Sequence, residues 1–422
     1  MAEEHSRIRQ ISWLELFPWL GLVRAVRLAF APRMLILAAV GLAATNAGWG
    51  LMGWIFDKNT DPSLVVARNT MEGFRAMPLI PQEIILPDVS ISVLDPATSA
   101  AQTPWKVITY PFSQLFKWDV TVASFTYLLL CGVWALLVWA LFGGAISRGA
   151  ALWFAREDRL SFRRSLGWGV KKWPAYFGAP MFPLVGVLIA VIPVAILCLL
   201  LKIPVGVLVV GIIWPVVLLC GLLLAILLVG LLFGWPLMWP TISAEGTDSF
   251  DALSRSYSYT YQRPVHYLFY AAVAGVLGML AWVVVLIFAK GVIEYSYWAA
   301  SWGCGTPRIQ EIRQIAEAPP SLELAPSLSG FAPPPPTDGG GLLEKGSLAV
   351  GFWVRVVKYI AVGFLFSYFW CAATYIYFLL RQSVDATELD EVAVEEEPEA
   401  YGLPPIINEP GGPPQVADAP PQ

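Results

Sequence analysis

The most regular feature of the chain is a series of long apolar runs separated by polar connections. A bilayer core about 30 Å thick is crossed by roughly 20 apolar residues in a helix, and six runs reach this length without Asp, Glu, Lys or Arg. The pattern therefore predicts an all-α integral membrane protein with six transmembrane helices. The runs are Met34–Phe56, Val120–Ile146, Ala175–Leu201, Val205–Leu232, Val265–Ala289 and Tyr359–Leu380.

The spans follow one another as three predicted hairpins, and a similar segment precedes each hairpin. It is amphipathic and partly basic, and it leads to a proline that suits the first turn of a helix. We expect these segments to be interfacial helices on the cytoplasmic leaflet. Two explanations stay open: internal duplication, or selection of basic amphipathic residues in any inner loop. The prolines are Pro32, Pro174 and Pro264, and the segments begin at Arg24, Ser161 and Ser249.

The distribution of Lys and Arg sets the predicted orientation, since short cytoplasmic loops are enriched in both. The connection 147–174 carries seven of them and the N-terminal segment 1–33 carries five, whereas the longer connection 57–119 also carries only five. Since the number of spans is even, we therefore expect both termini in the cytoplasm.

The connections 57–119 and 290–350 are the predicted external insertions. Pro87–Leu94 alternates apolar and polar residues, which is typical of a strand, and Trp105–Tyr110 could pair with it. We expect a small β-rich external lobe there. A short helical pattern covers Arg308–Ala318.

Three regions follow from these patterns. Residues 1–33 form a predicted cytoplasmic amphipathic segment, and residues 34–380 form the six-span membrane domain. Residues 381–422 are acidic and rich in proline, a composition that predicts a disordered cytoplasmic tail.

Composition restricts the function. The chain is 57% hydrophobic and 14% charged, which excludes a soluble enzyme or a nucleic-acid binder with a basic face. Two histidines and five cysteines without a CxxC motif do not supply a histidine-based zinc or haem site. Nucleotide, hydrolase and metalloprotease motifs do not occur. We therefore expect no cofactor, no metal site and no enzymatic activity.

Candidate contact residues lie in the two cytoplasmic loops between spans. Asp248 is predicted to cap a helix by accepting from the backbone N–H of Asp251, and Asp251 and Arg255 are spaced as an ion pair on one helix face. This helix is either a structural surface helix or a contact for a partner or lipid headgroup. The candidate lipid or partner contacts are Arg148, Arg163, Arg164, Lys171, Lys172, Asp251, Arg255 and Arg263.

Pro193 and Pro215 lie at similar depth in the third and fourth spans, where each is expected to kink its helix. They are either part of a solute site or tolerated kinks in a packed bundle. Ser367, Cys371 and Thr374 of the sixth span share one helix face, which is either a packing seam or part of a solute pathway. The lack of charge at bilayer depth argues against ion-coupled transport.

At Gly143–Arg148, Ala155–Asp158 and Asp251–Tyr257, the sequence resembles a broad group of uncharacterised bacterial six-span proteins. These are distantly similar to the membrane domain fused to some glycerophosphodiester phosphodiesterases. The resemblance implies a helical membrane fold over about residues 20–380 and a location in a bacterial inner membrane, and it carries no catalytic residues.

The sequence thus favours a non-enzymatic membrane scaffold or accessory protein that engages lipids, and possible partners include other membrane proteins but not nucleic acid. The alternative is a transporter or channel for a neutral or amphiphilic solute.

Overall fold

The computed structural model describes residues 17–76, 103–117, 119–317 and 341–393, together with the short stretches 406–407 and 415–416. Within these ranges, six helices are long and apolar enough to cross a membrane. They are α2 (Pro32–Ile55), α5 (Val122–Arg156), α7 (Trp173–Cys198), α8 (Pro204–Glu245), α10 (Pro264–Cys304) and α12 (Leu342–Asp385).

Six shorter helices connect or flank these spans. They are α1 (Leu22–Ala29), α3 (Pro62–Ala76), α4 (Thr103–Gln114), α6 (Phe162–Lys171), α9 (Ser249–Gln262) and α11 (Thr306–Glu317). Single 3-10 turns cover Pro18–Gly21 and Leu199–Lys202. Two strands of two residues each, β1 (Ile406–Ile407) and β2 (Gln415–Val416), pair antiparallel, with Ile406 opposite Val416.

The predicted helix starts are confirmed. Pro32 and Pro264 are the first residues of α2 and α10, and Pro174 is the second residue of α7. Lys202 and Pro204 form the tight turn between α7 and α8. The helices α5, α8, α10 and α12 extend well beyond their apolar runs, into the flanking segments of the chain.

Two predictions for the connections have different outcomes. The helical pattern at Arg308–Ala318 is confirmed by α11. The strand expected at Trp105–Tyr110 is wrong, because these residues lie in α4, where Val107 and Ile108 are buried against the bundle. Contacts at helical spacing with α5 therefore override the β-branched character of this segment. The other expected strand, Pro87–Leu94, lies outside the described residues.

Three helices form the centre of the bundle. Helices α5, α8 and α12 contact one another pairwise, and they bring together the fully buried rings of Trp139, Trp239 and Trp370. The rings of Trp239 and Trp370 stack with centroids 4.3 Å apart. Both rings approach α5 at Gly143, where a Cβ would lie 2.6 Å from Trp239. Glycine is therefore required at this approach.

The other three spans surround this centre in a nearly cyclic order. Helix α2 packs between α5 and α12, and α7 packs between α8 and α5. Helix α10 packs on α12. Over their described lengths, α8 and α10 lack a comparable interface with each other. The order therefore has one open position, between α8 and α10.

The short helices α1, α6 and α9 follow the same cyclic order. Each precedes one of the surrounding spans and packs on the central helix of the preceding pair: α6 on α5, α9 on α8, and α1 on α12. The packing thus repeats three times around the bundle, in the same units as the sequence pattern.

The turn between α7 and α8 and the adjoining parts of both helices stand apart from the rest of the bundle. Their apolar side chains are exposed along most of this length, as at Leu188, Ile212 and Leu223. Such a surface requires an apolar surrounding, because a contiguous exposed apolar patch of this size is not compatible with water.

Candidate functional site

The polar side chains that the sequence singled out gather where α5, α8 and α12 finish, which is called the inner end below. Each of these helices is followed by a residue in the left-handed conformation: Glu157 (φ 56°), Gly246 (φ 68°) and Ala386 (φ 55°). This conformation ends a helix by turning the chain back across its last carbonyls. The three endings bring the loops and the tail together over one surface.

Arg148 lies inside the inner end and not on its surface. Its side chain is 3% exposed, and it donates hydrogen bonds of 2.7 Å to the carbonyl oxygens of Ser243 and Ala393. Its guanidinium also lies 3.9 Å from the centroid of the Trp168 ring. The guanidinium held in this way joins α5 to α8 and to the tail inside the fold, although the sequence predicted Arg148 as a lipid or partner contact.

A chain of hydrogen bonds extends from Trp168. The indole Nε1 donates to the hydroxyl of Tyr176 at 3.1 Å, and that hydroxyl lies 2.8 Å from the Oγ of Ser243. The Nζ of Lys172 donates to the carbonyl of Gly246 at 2.5 Å. Lys172 thus joins the start of α7 to the end of α8, although the sequence predicted it as a lipid or partner contact.

Glu245, the last residue of α8, is the central carboxylate of the inner end. It lies 2.9 Å from Arg255 and 2.5 Å from the donating hydroxyl of Tyr377, and its second cation is Arg381 at 4.0 Å. The predicted pair of Asp251 and Arg255 is confirmed at 3.3 Å.

Charge balance around Arg255 explains the direction of its pKa. Burial lowers the pKa of the guanidinium, and the neighbouring carboxylates of Glu245 and Asp251 outweigh this effect and raise the pKa above its usual value. The cap predicted for this helix is confirmed, since Asp248 accepts from the N–H of Asp251 at 2.9 Å. Arg255 and Asp251 therefore secure α9 to the end of α8.

The first part of the tail belongs to the folded inner end. Helix α12 continues to Asp385, whose carboxylate accepts a hydrogen bond from Tyr259. Arg381 donates 2.8 Å hydrogen bonds to the carbonyls of Glu388 and Glu391, and the N–H of Ala393 donates to Ala244 at 2.7 Å. Residues 381–393 are thus ordered against the bundle, although the sequence predicted disorder from residue 381; residues 394–405 lie outside the description.

A polar cavity of about 450 Å³ lies between the tail and the helix ends. Its lining combines three guanidinium groups with two carboxylates, which leaves one net positive charge. The charged residues that line it are Arg156, Arg255, Arg381, Glu245 and Glu391.

A second set of cations faces outward. Arg163, Arg164 and Lys171 of α6 are exposed, and Arg263, between α9 and α10, is exposed as well. The inner end therefore separates its basic residues: Arg148, Lys172, Arg255 and Arg381 hold the fold together, and the residues on the outer face of α6 and beside α10 remain accessible.

The residues that the sequence suggested for a solute site, two prolines and a polar helix face, do not lie together at the inner end. Pro193 and Pro215 are exposed on α7 and α8, and the described cavities within the spans are not lined by them. In α12, Ser367 donates to the carbonyl of Ala29 at 3.0 Å and Thr374 donates to its own helix at Trp370. Since Cys371 between them is fully buried, this face is a packing seam.

Sequence reasoning did not identify Trp168, Tyr377 or Arg381 as part of the inner end. Arg381 directly follows an apolar run, where a basic residue is expected at a membrane surface, so its burial had no local signal. Comparison with protein-family models, with curated proteins and with solved structures found no match to this chain.

Proposed function

We propose that this protein is a multi-pass protein of a bacterial inner membrane that acts as a non-enzymatic scaffold and engages anionic lipid at the cytoplasmic leaflet. The observation that carries the proposal is the outward-facing set of cations on α6 and at Arg263, which is separate from the cations that hold the inner end together, such as Arg148 and Arg381. Accessible basic residues beside spans attract anionic headgroups by about 1 kcal/mol each.

The form of the inner end supports this proposal. Helices α1, α6 and α9 each bury one face against a central span, as at Ala25, Ser165 and Ala252. Each is attached to the following span through a proline at its first turn. A helix held this way lies across the ends of the spans, which is the depth of the headgroups if the spans cross the bilayer.

The exposed apolar surface of α7 and α8 is the surface available to lipid or to other membrane proteins. Transport of a neutral solute is the second candidate, but no observation favours it specifically, since the exposed Pro193 and Pro215 do not line the described span cavities.

The proposal is tested with the purified full-length protein in mild detergent. We expect its melting temperature to rise more on addition of phosphatidylglycerol than of phosphatidylcholine. Replacing Arg163, Arg164 and Lys171 together by Gln should abolish most of this difference, because three headgroup-facing charges are removed.

The matched control removes three exposed lysines at the opposite end of the spans, Lys58, Lys117 and Lys345, also by Gln. This variant should keep the full preference for phosphatidylglycerol. An equal loss in both variants would show that net charge alone, and not the inner end, attracts anionic lipid.

A further inference from the structure

The open position between α8 and α10 contains a cavity of about 260 Å³. Its walls are almost wholly apolar, and small residues of α10 and α12 make room for it, among them Ala271, Gly275 and Ala373. Trp105 of α4 and Leu237 of α8 close it on the other sides. Gly275 is exposed, so the cavity opens sideways from the bundle, toward the surroundings of the spans.

The height of the cavity matches one leaflet of a bilayer. Along α10 it extends from Tyr267 near the inner end to Gly278, a rise of about 16 Å at 1.5 Å per residue. The hydrocarbon core of a bilayer is about 30 Å thick, so one leaflet contributes roughly 15 Å. A volume below that of an ordinary small-molecule pocket, which is about 300–1,000 Å³, suits a single slender chain.

The cavity carries an unpartnered polar group near its inner end. Tyr267 is 6% exposed and lines the cavity, and its hydroxyl has no hydrogen-bond partner among the described residues. Tyr368 on the opposite wall is different, since its hydroxyl donates to the carbonyl of Ala274 at 2.6 Å. A hydroxyl without a partner in an almost wholly apolar cavity is unfavourable, and an ester oxygen of a lipid would supply one.

A basic residue lies one helical turn from Tyr267, on the side of the inner end. The N–H of Tyr267 donates to the carbonyl of Arg263 at 3.0 Å, so Arg263 lies one helical turn, about 5.4 Å, closer to the inner end. Arg263 and His266 are both exposed there. The ester oxygen of a phospholipid in this cavity would lie at the level of Tyr267. Its phosphate, which lies further out, would lie at the level of Arg263.

We infer that the cavity between α8, α10 and α12 holds one acyl chain of an anionic phospholipid from the inner leaflet. Tyr267 donates to the ester region and Arg263 binds the phosphate. This inference rests on the membrane orientation of the proposed function, but it uses a different site from the exposed face of α6.

The experiment measures retained lipid by native mass spectrometry of the full-length protein from detergent containing phosphatidylglycerol or phosphatidylcholine. We expect one retained phosphatidylglycerol per chain. Gly275→Leu should reduce retention at least tenfold, because a Cβ at this position meets nothing within 4 Å and the new side chain can occupy the cavity. Gly221→Leu is the matched control, since its Cβ also meets nothing within 4 Å and it does not line the cavity.

Two further variants test the polar contacts. Arg263→Gln should reduce the preference for phosphatidylglycerol over phosphatidylcholine by about fivefold, and Tyr267→Phe should weaken retention of both lipids. Equal retention by wild type and Gly275→Leu overturns the inference, as does an equal loss in Gly275→Leu and Gly221→Leu. If Gly275→Leu loses the lipid, but wild type and Arg263→Gln retain phosphatidylglycerol and phosphatidylcholine equally, the assignment of an anionic phospholipid is overturned.

The α6 variant distinguishes this inference from the proposed function. Gln at Arg163, Arg164 and Lys171 should leave the single retained lipid in place while the melting response to phosphatidylglycerol is lost. If the wild type retains no lipid but the melting temperature of Gly275→Leu still rises with phosphatidylglycerol, the cavity inference fails and the proposed function stands.

Discussion

The guanidinium of Arg148 lies 3.9 Å from the ring centroid of Trp168, and this contact joins α5 to α6 inside the inner end. The same guanidinium donates to α8 and to the tail. One buried cation therefore connects four segments of the chain, and the stability of the inner end should depend on it.

Arg148→Gln should lower the thermal stability of the protein clearly. Hydrogen bonds from a charged donor contribute about 1.5–3 kcal/mol each, and two carbonyl acceptors would lose theirs. Trp168→Leu should destabilise by about 2 kcal/mol, since it removes the ring contact and the bond to Tyr176. Melting curves in detergent at one scan rate measure both, with the exposed Arg163→Gln on α6 as control. Equal melting temperatures for Arg148→Gln and Arg163→Gln would contradict the structural role of Arg148.

Residues 386–393 of the tail should stabilise the bundle. A chain ending at Asp385 should be less stable than a chain ending at Ala393 by about 2–4 kcal/mol, because Arg148 and Arg381 lose carbonyl acceptors. Thermal melting of the two truncated proteins checks this expectation. A chain ending at Asp385 that melts like the chain ending at Ala393 would show that residues 386–393 contribute nothing.

Substitutions at the left-handed residues that end α8 and α12 should change stability in opposite directions. Gly246→Ala should destabilise by about 1 kcal/mol, because a Cβ is unfavourable at φ 68°. Ala386→Gly should stabilise by about 0.5–1 kcal/mol for the same reason. Gly167→Ala is the control, since Gly167 lies within α6 and its Cβ would meet nothing within 4 Å. That change should stabilise slightly through helix propensity. Destabilisation by Ala386→Gly would exclude this account.

The predicted orientation is testable at Cys304, the exposed cysteine at the end of α10 opposite the inner end. We expect a membrane-impermeant maleimide to label it in intact cells and to leave Cys304→Ser unlabelled. A cysteine introduced at Arg163 in the Cys304→Ser background should react only after permeabilisation. The reverse pattern would place the inner end outside the cell.

The spans, their starting prolines and the cap at Asp248 could be predicted because each depends on neighbouring residues. An apolar run long enough for a bilayer, a proline without an N–H to lose, and an acceptor three residues before a free N–H are local features. The resemblance to the six-span group and the bacterial location stay predictions.

The arrangement of the inner end was harder to predict from the sequence. Arg148 was predicted at the surface, because a basic residue in a loop between spans usually lies there, and Trp105 was placed in a strand on its side-chain pattern. Each outcome was decided by packing partners that are distant in the chain.

By itself, the sequence determined that the chain forms six apolar helices and where five of them begin, because bilayer thickness and helix-end chemistry act on consecutive residues. The tertiary structure decided which cations are buried, how the tail docks and where the ring of helices stays open. The bonds that decide this join Arg148 to residues 95 and 245 positions away, and no periodicity along the chain encodes such a separation.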